Sequence, residues 1–370
     1  MIKSLDLNFQ HSQMYAEITE AFERLLKTNS FINGTEVENF EKNYASYTNT
    51  NNCISVGNGT DALELILEAL GLFQCEIIMP ALTFVATAEA VLRVNSKPVF
   101  VDVDESYTID PYKIEEKITN KTKAIIAVNL HGNPANLKTI ESIATKNNLF
   151  VIQDSAQSHG ATAVDGNLDN FGIATAYSFY PGKNLGAIGD AGAITTNDDN
   201  LATTLRRIKN HGRLNKFDHE IVGRNSRLDA IQAAVLNIKL RYLDSWIERR
   251  RLLAKLYDDA FAEIHWLSKP SSNLNGQSSY HQYVITSNFK NNIKKSLKQN
   301  EIEYGFHYPY IVPELTFLKE ENYANKYVKS NMVARFGLSL PIGEHLTHKD
   351  IETIVKTVIL ANQNNSDIKL

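Results

Sequence analysis

Three short segments of this chain carry residues whose types and spacing could do chemistry. The apolar run LFVIQD (149–154) ends in a carboxylate, Asp154. Ligands sit at the carboxyl ends of strands in an open α/β sheet, and an acid there is costly to bury without a cationic partner. Capping of the next turn is the plainer use of the same residue. The segment TAYSFYPGKNLGAIGDAGA (175–193) follows a strand pattern with Tyr180, Pro181, Gly182 and Lys183, then a glycine-dense loop. A loop lysine is usually a solvated charge. Here close backbone approach would desolvate it, lowering its pKa and leaving a nucleophilic amine. The third segment, GNGTDALELI (57–66), is a glycine turn between a strand and a helix. Its backbone N–H groups near Gly59 and the Thr60 hydroxyl could meet a phosphate at the helix N-terminus. Asp61 beside them is mildly unfavourable for an anion, so backbone donors must dominate.

Together the segments supply what pyridoxal-phosphate (PLP) chemistry requires. Lys183 would form the imine with the cofactor aldehyde. Asp154 would pair with the pyridinium nitrogen and keep the ring an electron sink. The 57–60 turn, with Ser178, would hold the phosphate. One crossover between two sheet strands separates Asp154 from Lys183.

Positioning these groups falls to alternating strands and helices. Strands are predicted at CISV (53–56), EIIMP (76–80), PVFVDV (98–103), AIIAV (124–128), LFVIQD (149–154), TAYSF (175–179) and GAITT (192–196). Helical patterns occupy 61–70, 84–94, 137–147 and 198–210. Strand, helix, strand in turn predicts an α/β fold with a mostly parallel central sheet and helices on both faces. Leu63, Leu67 and Leu70 mark the first helix, Asp61 with Glu64 resembles a capping box, and Gly71 is its stop. A long amphipathic segment, 228–261, links residues 1–240, a large domain with an N-terminal helical segment, to 241–370, a smaller C-terminal α+β domain. SSNLNGQSS (271–279) reads as a loop and HQYVIT (281–286) as a strand of that domain.

The bulk numbers exclude other classes. A composition 43% hydrophobic and 22% charged is that of a water-soluble globular protein. A net charge of −4 lacks the basic footprint of a nucleic-acid binder. Two cysteines, Cys53 and Cys75, are too few for a disulfide framework or a cysteine zinc site, and they suit a reducing cytoplasm. The first residues carry no apolar secretory core, and no run of about 18 apolar residues predicts a membrane span.

In the order and spacing of NGTDALELIL, PALTFVATAEAV, PVFVDVD, DSAQSHGA, SFYPGKNLGAIGDAGA, GRNSRLDAIQAAVL and HYPYIVPEL, the chain resembles the DegT/DnrJ group of sugar aminotransferases along nearly its whole length. The resemblance implies the aspartate-aminotransferase-like fold, PLP fold type I. It implies that Phe84 stacks on the cofactor ring, Gln157 bonds the ring hydroxyl, and Ser178 and Thr60 bind phosphate. It also implies that Asn225 reaches the phosphate of a neighbouring subunit, making a homodimer with shared sites. FYPGKNLGA with GDAGA resembles members that aminate C-3 of a dTDP-linked 3-keto-6-deoxyhexose, with L-glutamate as amino donor. In that frame His159, Tyr180, His307 and Tyr308 would orient the hexose or assist proton transfer. Arg213, Lys216 and Arg227 would meet the pyrophosphate, guanidinium forks being suited to it.

Other readings remain beside this one. Gly57, Gly59 and Ala62 satisfy a dinucleotide fingerprint with Glu76 at a suitable distance, although Tyr180 to Lys183 is one residue short of a short-chain dehydrogenase pair. PLP sugar dehydratases carry His where this chain has Lys183. Amination at C-4, or a PLP-binding sensor without turnover, would use the same fold.

Overall fold

The computed structural model describes residues 1–213, 215, 217–318 and 323–363. Two helices, α1 (Leu7–Thr28) and α2 (Thr35–Thr48), precede the sheet. The central sheet has seven strands: β1 (Asn52–Val56), β2 (Glu76–Pro80), β3 (Lys97–Val101), β4 (Thr122–Val128), β5 (Phe150–Asp154), β6 (Ala174–Ser178) and β7 (Gly192–Thr196). Their spatial order is β1-β7-β6-β5-β4-β2-β3. Strands β6, β5, β4, β2 and β3 run parallel, while β7 is antiparallel to both its neighbours, β1 and β6.

Alternate residues feed two cores. Ile77 and Met79 of β2 face one side, where α3 (Gly59–Ala69), α4 (Val85–Arg93) and α6 (Asp199–Ile208) pack. Ile78 faces the other, against Leu137, Ile140 and Ala144 of α5 (Leu137–Lys146). Burial on both faces explains why these strands read as continuous apolar runs rather than alternating ones. Helices α1 and α2 join α7 (Ala230–Leu240) over Tyr177, Phe179 and Ala193, so the layered α/β fold is complete around β6 and β7.

Two local expectations are corrected. The segment 228–261 is two helices, α7 and α8 (Leu243–Ala260), because the chain breaks at Arg241 and Tyr242. The cap of α3 is Asn58, whose side chain accepts from the Asp61 N–H, and the helix starts at Gly59. Asp61 and Glu64 instead accept from Ser226 and Arg224. Gly71 takes φ +68°, the left-handed stop that its position suggests.

Helix α8 leads into a separate core. There β8 (Tyr283–Thr286) pairs antiparallel with β9 (Gly337–Leu340), and α9 (Lys290–Gln299) and α11 (His348–Gln363) cover them; α10 (Val328–Phe336) precedes β9 and packs Val333 and Ala334 into the core of the large sheet. Ile2 bridges Ile302, so the extreme N-terminus is tied to this unit rather than to the seven-stranded sheet. No described helix is long and apolar enough to cross a membrane.

Candidate active site

The carboxyl ends of β4, β5 and β6 open onto a cavity of about 640 Å³ whose lining includes Asp154, Lys183, Ser178, Gln157, Phe84 and Tyr308. Strand β5 delivers Asp154 and β6 delivers Ser178 as their last residues. The loop joining β6 to its antiparallel neighbour β7 carries Lys183. That loop closes on itself, because the Lys183 N–H donates to the Tyr180 carbonyl and the Ala187 N–H to the Phe179 carbonyl. Lys239, fully buried on α7, donates its ammonium to the Gly186 carbonyl and pins the loop from below.

Asp154 is buried, and its carboxylate accepts from the Thr87 hydroxyl at 2.8 Å and the Ala156 N–H at 3.2 Å. Thr87 spends its proton on Asp154, so the neighbouring Thr83 hydroxyl, 2.9 Å away, donates to Thr87. Burial raises the Asp154 carboxyl above its ordinary range, against the hydrogen bonds and the Lys183 charge that lower it. No ion pair reaches Asp154 among the described residues. A buried acid without a counter-ion, facing a cavity, is suited to a ligand with a protonated ring nitrogen.

Burial also pushes the Lys183 amine down to about 8, with the Asp154 charge working in the opposite direction. Half of it is neutral and nucleophilic near pH 8, where an exposed lysine is almost wholly protonated. Reductive alkylation of the apoprotein with an aldehyde and borohydride, mapped by peptide mass, should label Lys183 along a pH curve centred near 8. Asp154→Asn should move that centre lower, since the carboxylate holds the amine charged. A curve centred near 10 would refute the burial argument.

The end of the cavity lined by Asn58, Gly59, Thr60 and Ser178 is built largely from main chain. Asn58 satisfies the Asp61 N–H and its carbonyl the Ala62 N–H, which leaves the N–H groups of Gly59 and Thr60 without partners among the described residues. Ser178 lies against them: a Cβ on Gly59 would stand 2.7 Å from the Ser178 Cβ. A Cβ on Gly192, at the start of β7, would come within 2.4 Å of the Asn58 carbonyl. Both close approaches require glycine. Asp61 is tied by the Ser226 hydroxyl at 2.5 Å, and Ser226 in turn accepts from the Gly57 N–H. Open N–H groups at a helix N-terminus, a serine hydroxyl, a buried acid and a depressed lysine form a donor set that fits PLP.

The remaining candidates divide. Gln157 is locked, accepting from the His131 N–H at 2.7 Å and donating to the Tyr308 hydroxyl at 2.7 Å. Phe84, 51% exposed, tilts toward the Tyr308 ring at 5.6 Å, leaving a face free for a planar ligand. Tyr180 is 59% exposed at the cavity mouth, and Thr60 lines the wall. His307 borders an adjoining cavity of about 350 Å³ that shares Lys183, Gln157 and Tyr180 with the first; its Nδ1 meets Ser339 Oγ at 2.8 Å.

His159 corrects the expectation of a proton-transfer group. It lies outside the main cavity, buried, with both ring nitrogens already bonded. Arg213 is exposed and Arg227 contacts Asn210, and neither lines the cavity of its own protomer; Lys216 lies outside the described residues. Asn225 is exposed and likewise outside it. The arginines that do line the cavity are Arg93 and Arg224, the latter paired with Glu64 and Glu68. Sequence reasoning missed both, and missed Thr87; the four-residue spacing of Thr83 and Thr87 was the signal available for the latter.

The DegT/DnrJ/EryC1/StrS aminotransferase family matches residues 12–359. The chain is 39% identical to a dTDP-3-amino-3,6-dideoxy-alpha-D-galactopyranose transaminase of Aneurinibacillus thermoaerophilus, over 97% of this chain and 99% of that one. It is 37% identical to a UDP-2-acetamido-2-deoxy-3-oxo-D-glucuronate aminotransferase of Pseudomonas aeruginosa, over 96% and 98%. Among solved structures, DesV of S. venezuelae in complex with a ketimine intermediate superposes with a TM-score of 0.94 at 34% identity, covering 97% of this chain and 98% of that one.

Proposed function

The chain belongs to the DegT/DnrJ/EryC1/StrS aminotransferase family and is a PLP-dependent transaminase, and from that premise we propose that it moves an amino group from L-glutamate to C-3 of a dTDP-linked 3-keto-6-deoxyhexose. The product is a dTDP-3-amino-3,6-dideoxyhexose for glycan or antibiotic sugar assembly. The observation that carries the reading is the depressed amine of Lys183 sharing one cavity with the unpaired buried acid Asp154. The likeness to a transaminase named for a dTDP-3-amino-3,6-dideoxy sugar supports the finer choice of substrate.

PLP, when bound, supplies an aldehyde to carry nitrogen between substrates and a ring that accepts electrons. Asp154 would hold the proton on the ring nitrogen, Phe84 and Gln157 would hold the ring, and Ser178 with the Gly59 and Thr60 N–H groups would bear the phosphate. Lys183 Nζ removes the α-proton of the donor, and in the return half it delivers a proton to the sugar carbon that receives nitrogen. Glutamate leaves as its 2-oxo acid, so the donor's amine and the sugar's carbonyl oxygen change places overall. Tyr180, His307 and Tyr308 border the space in which the hexose would lie.

We read the active unit as a cytoplasmic homodimer. Asn225 and Arg213 are exposed and do not line their own cavity, a placement suited to a neighbour's phosphate and pyrophosphate. Incubation with L-glutamate and a panel of dTDP- and UDP-linked 3-keto and 4-keto sugars, with NMR assignment of the amine-bearing carbon, tests the substrate. Amination at C-3 of the dTDP-6-deoxy sugar is expected. Amination at C-4, preference for the UDP sugar, or absence of turnover would each overturn the reading.

A further inference from the structure

The imidazole that sequence analysis places near the chemistry is wired to the cofactor cradle from behind. His159 is 1% exposed and lies in the turn after β5. Its Nε2 is 2.8 Å from the Ser178 carbonyl oxygen and its Nδ1 is 2.8 Å from the Tyr44 hydroxyl. A carbonyl can only accept, so Nε2 carries the proton; Nδ1 of the neutral ring then accepts from Tyr44. Burial, opposed by the Ser178 carbonyl and assisted by the Lys183 charge, holds the imidazole pKa down to about 4, so the ring is neutral at neutral pH. One tautomer satisfies both partners.

The ring has no room to turn. It stacks on Tyr177 at 5.3 Å and on Phe179 at 5.1 Å, the residues on either side of Ser178. Tyr44, on α2, is itself fully buried and packs edge-on against Tyr177 and Phe179 at 5.2 and 5.1 Å. A helix outside the sheet thus anchors, through one imidazole, the main chain that aims the Ser178 side chain.

We propose that His159 is a positioning residue: anchored by Tyr44, it fixes the Ser178 peptide plane so that the Ser178 hydroxyl and the Gly59–Thr60 N–H groups converge on the cofactor phosphate. The proposal rests on reading that convergence as a phosphate cradle. It gives His159 no proton to transfer and no contact with the substrate.

Two aldehydes separate this role from a merely structural one. PLP and pyridoxal present the same ring and aldehyde, and only PLP has a phosphate. Full-length protein, stripped of cofactor, is titrated with each and followed by the visible band and intrinsic fluorescence. His159→Phe, which keeps the stacking and removes both nitrogens, should weaken PLP roughly tenfold while changing pyridoxal by less than about twofold. Tyr44→Phe should weaken PLP by a smaller factor, about threefold, and His159→Gln, which retains a side-chain N–H, should recover part of the loss. Should His159→Phe fail to fold, the Tyr44→Phe and His159→Gln arms carry the comparison. Equal weakening of both aldehydes, or unchanged PLP affinity, would overturn the proposal while leaving the transaminase assignment intact. Equal affinity of the unaltered protein for the two aldehydes would overturn the cradle reading and this proposal with it.

Discussion

Lys183→Ala is expected to lower turnover by at least about 1,000-fold, the contribution of a positioned acid–base group, and to remove the covalent link to the cofactor as well. The loop should survive the change, because its clasp uses the main chain of Lys183 and the Lys239 contact to Gly186, and the Lys183 side chain takes part in neither. Asp154, Ser178 and the 59–60 turn remain, so the cofactor should still bind, now non-covalently. Borohydride treatment followed by peptide mass mapping checks this directly: the peptide containing position 183 should carry the reduced cofactor in the native protein and be unmodified in the variant. Undiminished activity would show that another residue bears the aldehyde.

Asp154→Asn should separate activity from stability. Replacing the carboxylate leaves a protonated ring nitrogen buried without its counter-charge, and turnover should fall by roughly two to three orders of magnitude. The apoprotein should respond oppositely. Burial raises the Asp154 pKa in the folded chain, so the folded state holds a proton that the unfolded state has already released. That contribution is present below the ordinary carboxyl pKa and is lost as pH rises through the raised one. At neutral pH the cofactor-free native protein therefore holds a strained charge that the asparagine variant lacks. Thermal melts of both apoproteins from acid to neutral pH should show the variant gaining relative stability as pH rises, and a parallel pair of curves would contradict this.

Much of this architecture is legible in the sequence because its signals are local. The apolar runs from 53 to 196 mark the seven strands, since residues buried on both sides have no polar alternation to obscure them. Asp154 and Ser178 fall at strand ends, and the glycines around Lys183 announce a tight loop. Position along a strand does not reveal where a side chain points once the strand has ended, and there the reading weakens. His159 lies five residues beyond Asp154, yet it turns under the sheet to meet Tyr44, a partner 115 residues away. Arg93 and Arg224 reach the cavity from two different elements, and only tertiary packing brings them together. The same holds for the break at Arg241 and Tyr242, where the helical periodicity on either side gives no warning.

The two glycines at 59 and 192 lie where one stretch of main chain crosses another. Glycine within a strand or in the body of a helix weakens it by roughly 0.5–1 kcal/mol relative to alanine. Strand β7 begins with such a residue, after the loop that carries Lys183. The fold thus sacrifices cohesion at the seam between β1 and β6, and what it gains is a close main-chain crossing that leaves the bare amides of Gly59 and Thr60 at the cavity wall.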